Sequence, residues 1–344
     1  MNFMVDDEFL ILMNINPALD PLMDTIPALP LDARKKLREV GLKTALEYPN
    51  WIRINPAPHE FDFMEVNEFL SMNRSADMKT IFPVTNWNIP EWVEDDWYAK
   101  HRDGSINRTV LSIWNEEAQE YTDYYCKKLI SNFGARDVLF YWGDWQGGEG
   151  IYPAEQCFYD RCALEDYRAN YGSTATPDIT TQETLDWYGK KIIEHSLRKQ
   201  RIFYPQHKEI WNAQQYLMET WTKAFGNFVI PETFQAFRDE FPELSLVFLQ
   251  YTYYDDAHYK IPNEEFVKKM QADYNCEVIV EAHFAQGLKT TTPRAIIDGF
   301  RGQVCGLIHF QSGKFAFEDW MVEEVGKSIT LWKDMTWNEN NNNS

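Results

Sequence analysis

Two glutamates in this chain are set so that a pair of carboxyl groups could do acid–base and nucleophilic work. Glu281 directly follows the apolar run Val278-Ile-Val280, and Glu149 sits in the glycine-rich stretch Gly147-Gly-Glu-Gly150. Two carboxyl groups flanking a glycosidic bond suffice to cleave it. One protonates the leaving oxygen, and the other attacks the anomeric carbon or activates water. A carboxylate at a strand end is held rigidly enough for in-line attack, which makes Glu281 the nucleophile candidate. Glycines let the backbone turn sharply and approach a ligand, which makes Glu149 the acid/base candidate. Asp144 is its rival, nearer the preceding strand. The plainer alternatives are a helix-capping or surface glutamate at 281 and a simple acidic loop at 149. Negative charge from Glu281 and cover from tryptophans would raise the pKa of Glu149, as a general acid requires.

Other polar and aromatic residues fall at the ends of apolar runs. They are Glu47, Trp51 and Arg53; then Trp87 and Asn88; then Trp142, Asp144 and Gln146; then Asn212 and Gln214; then Tyr251 and Tyr253; and finally His283 and His309. Carboxylates, amides and aromatic faces with few cations suit a hydroxyl-rich ligand. Arg53 either orients a carboxylate or forms an ordinary ion pair. His283 and His309 either bond a ligand hydroxyl or are satisfied internally. The chain has no HExxH, no tight His/Cys/Asp cluster, no GxSxG and no glycine-rich dinucleotide fingerprint. The expectation is therefore no metal and no cofactor.

These residues need elements to hold them. A short apolar run, a polar loop and a helical pattern recur along the chain, which implies βα units and a mostly parallel sheet. Strands are expected near 9–15, 42–47, 79–84, 137–142, 209–213, 244–250, 277–280 and 304–310. Helices are expected near 31–39, 64–71, 115–131, 183–198, 231–240, 263–274, 293–300 and 316–332. Eight such units suggest α/β architecture, a single-domain (β/α)8 TIM barrel, with chemistry at the C-terminal ends of its strands. The expected barrel runs over 1–335, with a loop insert at about 150–180 and a disordered Asn-rich tail at 336–344. The insert, with Tyr152, Tyr159, Tyr167 and Tyr171, is expected to shape the pocket.

The 344 residues carry 33 basic and 53 acidic side chains, a net charge of −20. Such a chain repels nucleic acid, anionic membranes and polyanionic glycans, so neither a nucleic-acid nor a membrane partner is expected. No run reaches the length of about 20 apolar residues that spans a bilayer. The five cysteines are odd in number and scattered, and the N-terminal stretch lacks a basic region and a cleavage site. Both point to a cytoplasmic protein. A homo-oligomer is compatible with the sequence, which selects no symmetry.

The stretch from Trp51 to Phe63, WIRINPAPHEFDF, resembles the early tryptophan–proline–FDF element of clan A glycoside hydrolases, nearest to the barrel domain of the family 42 β-galactosidases and their relatives. Asn88-Ile-Pro-Glu-Trp92 is similar to their proline–tryptophan loop after strand three, and Arg102-Asp-Gly104 follows in the same layout. The resemblance implies an acid/base at Glu149 after strand four and a nucleophile at Glu281 on strand seven. It also implies retaining cleavage of β-glycosidic bonds, with Trp51, Trp87, Asn88 and Trp142 in the sugar-binding walls. The family's Asn-Glu pair after strand four is replaced here by Asp144-Trp-Gln-Gly-Gly-Glu149, where Gln146 could supply the missing amide. The stretch GEGIYP also resembles the GELRYP element of the β-amylases, inverting barrels that act on α-glucans. The expected function is a glycoside hydrolase acting on a neutral oligosaccharide or glycoconjugate. The alternative is a non-catalytic carbohydrate-binding barrel derived from such an enzyme.

Overall fold

The computed structural model describes residues 10–14, 29–47, 49–83, 89–134, 138–141, 157–203, 209–213, 230–242, 246–251, 253–255, 258–260, 272, 277–283, 306–311, 320, 322–323, 325–327 and 329–330. Its centre is an eight-stranded sheet whose recorded pairings are all parallel. The strands are β1 (Leu10–Asn14), β2 (Thr44–Glu47), β3 (Lys79–Pro83), β6 (Val138–Tyr141), β7 (Glu209–Ala213), β8 (Leu246–Tyr251), β11 (Glu277–His283) and β12 (Gly306–Gln311). Their order is β6-β3-β2-β1-β12-β11-β8-β7. The first strand therefore pairs with the last, and the described pairings run between β6 and β7 the long way round.

Two short antiparallel hairpins stand outside this sheet. One joins β4 (Tyr98–Lys100) to β5 (Ile106–Leu111), and the other joins β9 (Tyr253–Asp255) to β10 (His258–Lys260). Tyr253 therefore belongs to a separate hairpin, not to the end of the sixth parallel strand.

The helices form where the sequence supplies caps and an apolar stripe. They are α1 (Leu31–Glu39), α2 (Trp51–Ile54), α3 (Met64–Ser75), α4 (Glu116–Phe133), α5 (Arg161–Tyr171), α6 (Gln182–Phe203) and α7 (Ile230–Glu240). Asn115 caps α4 by accepting from Ala118 N at 3.1 Å, and Glu116 and Glu117 sit at the positive end of its dipole. Asp160 caps α5 in the same way, accepting from Ala163 N at 3.1 Å. Helix α6 buries Leu185, Tyr188, Ile192, His195, Lys199 and Phe203, a spacing of three or four that keeps one stripe inward.

Polar residues tie this helix layer together. Lys199 of α6 is buried and bonds Asp123 of α4, and its Nζ also donates to Thr122 Oγ1 at 2.8 Å. Burial pulls the Lys199 ammonium below its ordinary range, against the opposing effect of Cys126 and Asp123. Arg198 meets Asp123 at 2.6 Å and Glu116 at 2.7 Å. Arg201 of α6 grips Glu240 of α7 through two contacts of 2.6 and 2.7 Å.

The insert expected as a pocket-shaping loop contains α5. Tyr167 is buried there, 4.9 Å from the Trp187 ring of α6, and Trp187 Nε1 donates to Asp166 at 2.6 Å. Tyr159 is also buried and donates to Pro177 O at 3.0 Å. Both tyrosines pack internally, Tyr167 against Trp187 of α6 and Tyr159 stacked on Phe158 with centroids 5.1 Å apart.

Candidate functional site

The two faces of the sheet can be told apart from β2 and β3. Glu47 forms a buried ion pair with Arg34 of α1, and Arg34 also bonds Asn73 of α3. Asn73 Nδ2 reaches Thr80 Oγ1 of β3 at 3.0 Å. Phe82 packs edge-on against Phe133 of α4, with centroids 5.7 Å apart. Residues 45, 47, 80 and 82 therefore occupy the helix side, and Leu46 and Ile81 occupy the other face, because strand residues alternate.

Register carries this division around the sheet, since partners on adjacent parallel strands share a face. Asn14 pairs with Glu47 and with Gln311, and Leu12 pairs with Ala45 and with His309. Position 309 thus lies on the helix-side face. The opposite face includes Ile308, which pairs with Glu281, and Glu281 pairs in turn with Tyr251. His283 pairs with Phe310, and Leu249 with Asn212. Positions 212, 251, 281 and 283 thus share the face turned away from the helices. Pro83 and Tyr141, partners at the ends of β3 and β6, belong to the same face.

This sorts the residues expected to carry chemistry. Glu281, His283, Asn212 and Tyr251 come together on one face near the C-terminal ends of the fifth, sixth and seventh parallel strands. Position 281 is inside β11, which runs on to His283, whereas the apolar run alone ends at Val280. Glu47 goes to the other face, where Arg34 compensates its charge, so it is not among the residues facing away from the helices. Trp51 is only 1% exposed and stacks on Tyr125 with centroids 5.0 Å apart. Its Nε1 donates to Asn55 Oδ1 at 3.2 Å, which makes it a core residue in this structure. Arg53 pairs with Glu65 at 2.9 Å on the surface, the ordinary ion-pair arrangement. Glu149, Trp87, Asn88, Trp142, Asp144, Gln146 and Gln214 lie outside the described residues, as does Tyr152.

Sequence reasoning missed one structured region in the connections after the third and fourth parallel strands. The β4–β5 hairpin lies in the connection from β3 to α4, and residues 157–181 in the connection from β6 to α6. The two are joined. Tyr159 N donates to Lys100 O at 3.0 Å, and Asn107 Nδ2 donates to Cys157 Sγ at 3.2 Å. The Cys157 sulfur lies 3.4 Å from His101 Nδ1. Trp114, just after the hairpin, stacks on Trp187 with centroids 4.6 Å apart. The residue-level signal was weak because β5, Ile-Asn-Arg-Thr-Val-Leu, does not alternate cleanly.

No protein-family profile and no curated protein matches the chain. Solved structures do resemble it. The catalytic domain of a β-amylase from Paenibacillus polymyxa aligns with a TM-score of 0.68 at 14% identity, covering 96% of this chain and 100% of that one. The β-galactosidase of the psychrophilic Marinomonas ef1 aligns with a TM-score of 0.68 at 12% identity, covering 96% of this chain and 60% of that one. The β-galactosidase of Rahnella sp. R3 gives a TM-score of 0.68 at 11% identity, covering 98% of this chain and 58% of that one. This chain thus spans about three fifths of each β-galactosidase. The likeness is one of fold, and these neighbours are glycosidases.

Proposed function

We propose that this chain is a glycoside hydrolase built on one closed (β/α)8 barrel, cleaving a β-glycosidic bond in a neutral oligosaccharide or glycoconjugate with retention. In this reading Glu281 is the nucleophile and Glu149 the acid/base. The observation that carries it is the register of Glu281. Position 281 lies on the seventh parallel strand, on the face away from the helices, beside Tyr251. A barrel gathers that face around its axis, and the connection after the fourth strand, which contains Glu149, opens at the same end. The shared fold with a β-amylase domain and two β-galactosidases supports the class. The cytoplasmic location belongs to the same proposal, supported by Cys126, Cys157 and Cys162, which are not in disulfides.

Tyr251 and Asn212 would bond substrate hydroxyls. Retention requires the two carboxyl groups to stand roughly 5 Å apart, and inversion roughly 6.5–9.5 Å apart. A second reading, inverting attack on an α-glucan, is favoured by the full-length match to the β-amylase domain.

One experiment separates these readings. The purified protein is assayed on aryl β- and α-glycosides and on soluble α-glucan, beside Glu281→Gln and Glu149→Gln, with the product anomer followed by proton NMR. Cleavage of a β-glycoside with retained configuration, lost in both variants, is the expected result. Inverted product from α-glucan would establish the second reading. Binding without turnover of any of these substrates would identify a carbohydrate-binding barrel.

A further inference from the structure

We infer that the substrate is a glycoside with an apolar aglycone, bound along the flank that β12 and β1 form at positions 310 and 13; this rests on the role proposed for Glu281. The juxtaposition comes from the register. On β11, β8 and β7 the face away from the helices is apolar at Ile279, Val247 and Ile210. Toward the C-terminal ends it turns polar, at Glu281 and His283, at Tyr251 and at Asn212. On the next two strands it does not turn. Strand β12 carries Ile308 and then Phe310, and β1 carries Ile11 and then Met13. Glu281 therefore stands on the last strand of a polar flank, and β12, the neighbour on its other side, begins an apolar one.

The apolar positions reach the level of the glutamate. Phe310 is the Cα partner of His283, which lies beyond Glu281 on the same strand, and Met13 is the partner of Phe310. In a barrel of eight strands with a shear of eight, height changes by about one residue from strand to strand. Position 310 then lies beyond Glu281 toward the C-terminal ends, and position 13 level with it or beyond it, whichever way the strands tilt. Phenylalanine offers no hydrogen-bonding group and methionine only a weak sulfur acceptor. Sugar hydroxyls set against them would give up water without a replacement. An alkyl or aryl group would instead gain about fourfold in affinity for each methylene removed from water. The polar flank suits the sugar, and the apolar flank suits the group joined to it. Phe310 and Met13 are specificity-determining residues in this sense.

The test is calorimetric binding of methyl and hexyl β-D-galactosides, β-D-glucosides and β-D-mannosides to Glu281→Gln, alone and combined with Phe310→Ala or Met13→Gln. Leu12→Met serves as a control, because position 12 lies on the helix side, paired with His309. A hexyl glycoside should bind about tenfold or more tightly than its methyl counterpart, and each flank variant should remove most of that gain while methyl glycoside affinity stays within about twofold. The full gain should remain in Leu12→Met. If Phe310→Ala does not fold, Met13→Gln reads the same flank from the neighbouring strand. Equal affinity for hexyl and methyl glycosides, or a gain that survives both flank variants, would overturn the inference. An equal loss for methyl and hexyl glycosides in Phe310→Ala would put the sugar itself on this flank and overturn it too. In each of these cases wild-type turnover of an aryl glycoside, lost in Glu281→Gln, leaves the role of Glu281 standing. Absence of binding by every one of these glycosides overturns the inference, and absence of wild-type turnover beside it overturns the role of Glu281 as well.

Discussion

Glu281 and Tyr251 are Cα partners on neighbouring parallel strands, on the sheet face opposite Glu47. Their shared face makes a strict prediction. Moving the carboxylate one residue, in the double variant Glu281→Ala/Ala282→Glu, turns it to the helix side. The variant should be as inactive as Glu281→Ala alone, although the carboxylate has moved by only one position. Recovery of more than a small fraction of wild-type turnover on the same glycoside would show that the register is not as described.

Arg34 and Glu47 test the opposite face. Both are fully or almost fully buried, and Asn73 joins them. Removing one partner leaves the other charge buried and uncompensated, which costs about 3–5 kcal/mol. Urea unfolding of Glu47→Ala should show a loss of that size, and Glu47→Gln a smaller one. Equal midpoints for wild type and Glu47→Ala would contradict the arrangement.

His195 gives stability a pH dependence. It is buried in α6, and burial, then the charges of Lys199, Lys191 and Arg198, hold its pKa well below the ordinary value of 6.5. Acidic groups face each of these cations, Asp123 pairing with Lys199 and Arg198, Glu116 with Arg198 and Glu194 with Lys191. The unfolded chain takes up the proton near pH 6.5, and the folded chain resists it to lower pH. This contribution is therefore complete above about pH 6.5 and is lost as the pH falls, at up to about 1.4 kcal/mol per pH unit. Urea midpoints measured from pH 7.5 down to 5.5 should fall less steeply in His195→Gln than in wild type.

Gly172 ends α5 with φ +113, where a Cβ would meet nothing within 4 Å. Any cost of substitution there comes from the backbone and not from crowding. Gly172→Ala should destabilise by about 1 kcal/mol or more, and Gly172→Met by nearly the same amount. A markedly larger loss for methionine in thermal unfolding would point to steric contact instead.

Much of the fold was legible because its elements carry clean signals. Helix α1 and strand β7 have the bounds that the apolar spacing predicts, 31–39 and 209–213. Strand β11 was cut short at Val280 because Glu281 and His283 interrupt the apolar run. In the structure they remain in the strand, on the face shared with Ile279. Glu47 could not be assigned to a face, since all four residues of β2 are buried and the pattern has no alternation to follow. Helix α5 was legible after all. Asp160 followed by Ala163 and Tyr167 is a cap and an inward stripe, hidden among residues taken together as a loop.

Asn73 and Asn107 have one further consequence. Each begins an Asn-X-Ser/Thr triplet, Asn73-Arg-Ser75 and Asn107-Arg-Thr109, the pattern that accepts an N-linked glycan. Both asparagines are buried, and each amide nitrogen is committed, to Thr80 Oγ1 and to Cys157 Sγ respectively. A glycan on either nitrogen would displace a bond between elements of the core and force bulk into packed space. The folded protein thus excludes modification at both triplets. A host that glycosylates the nascent chain would trap it short of the native state, so expression in a secretory host should lower the yield of folded protein, and Asn107→Gln would not restore that yield while Asn73 stays modified.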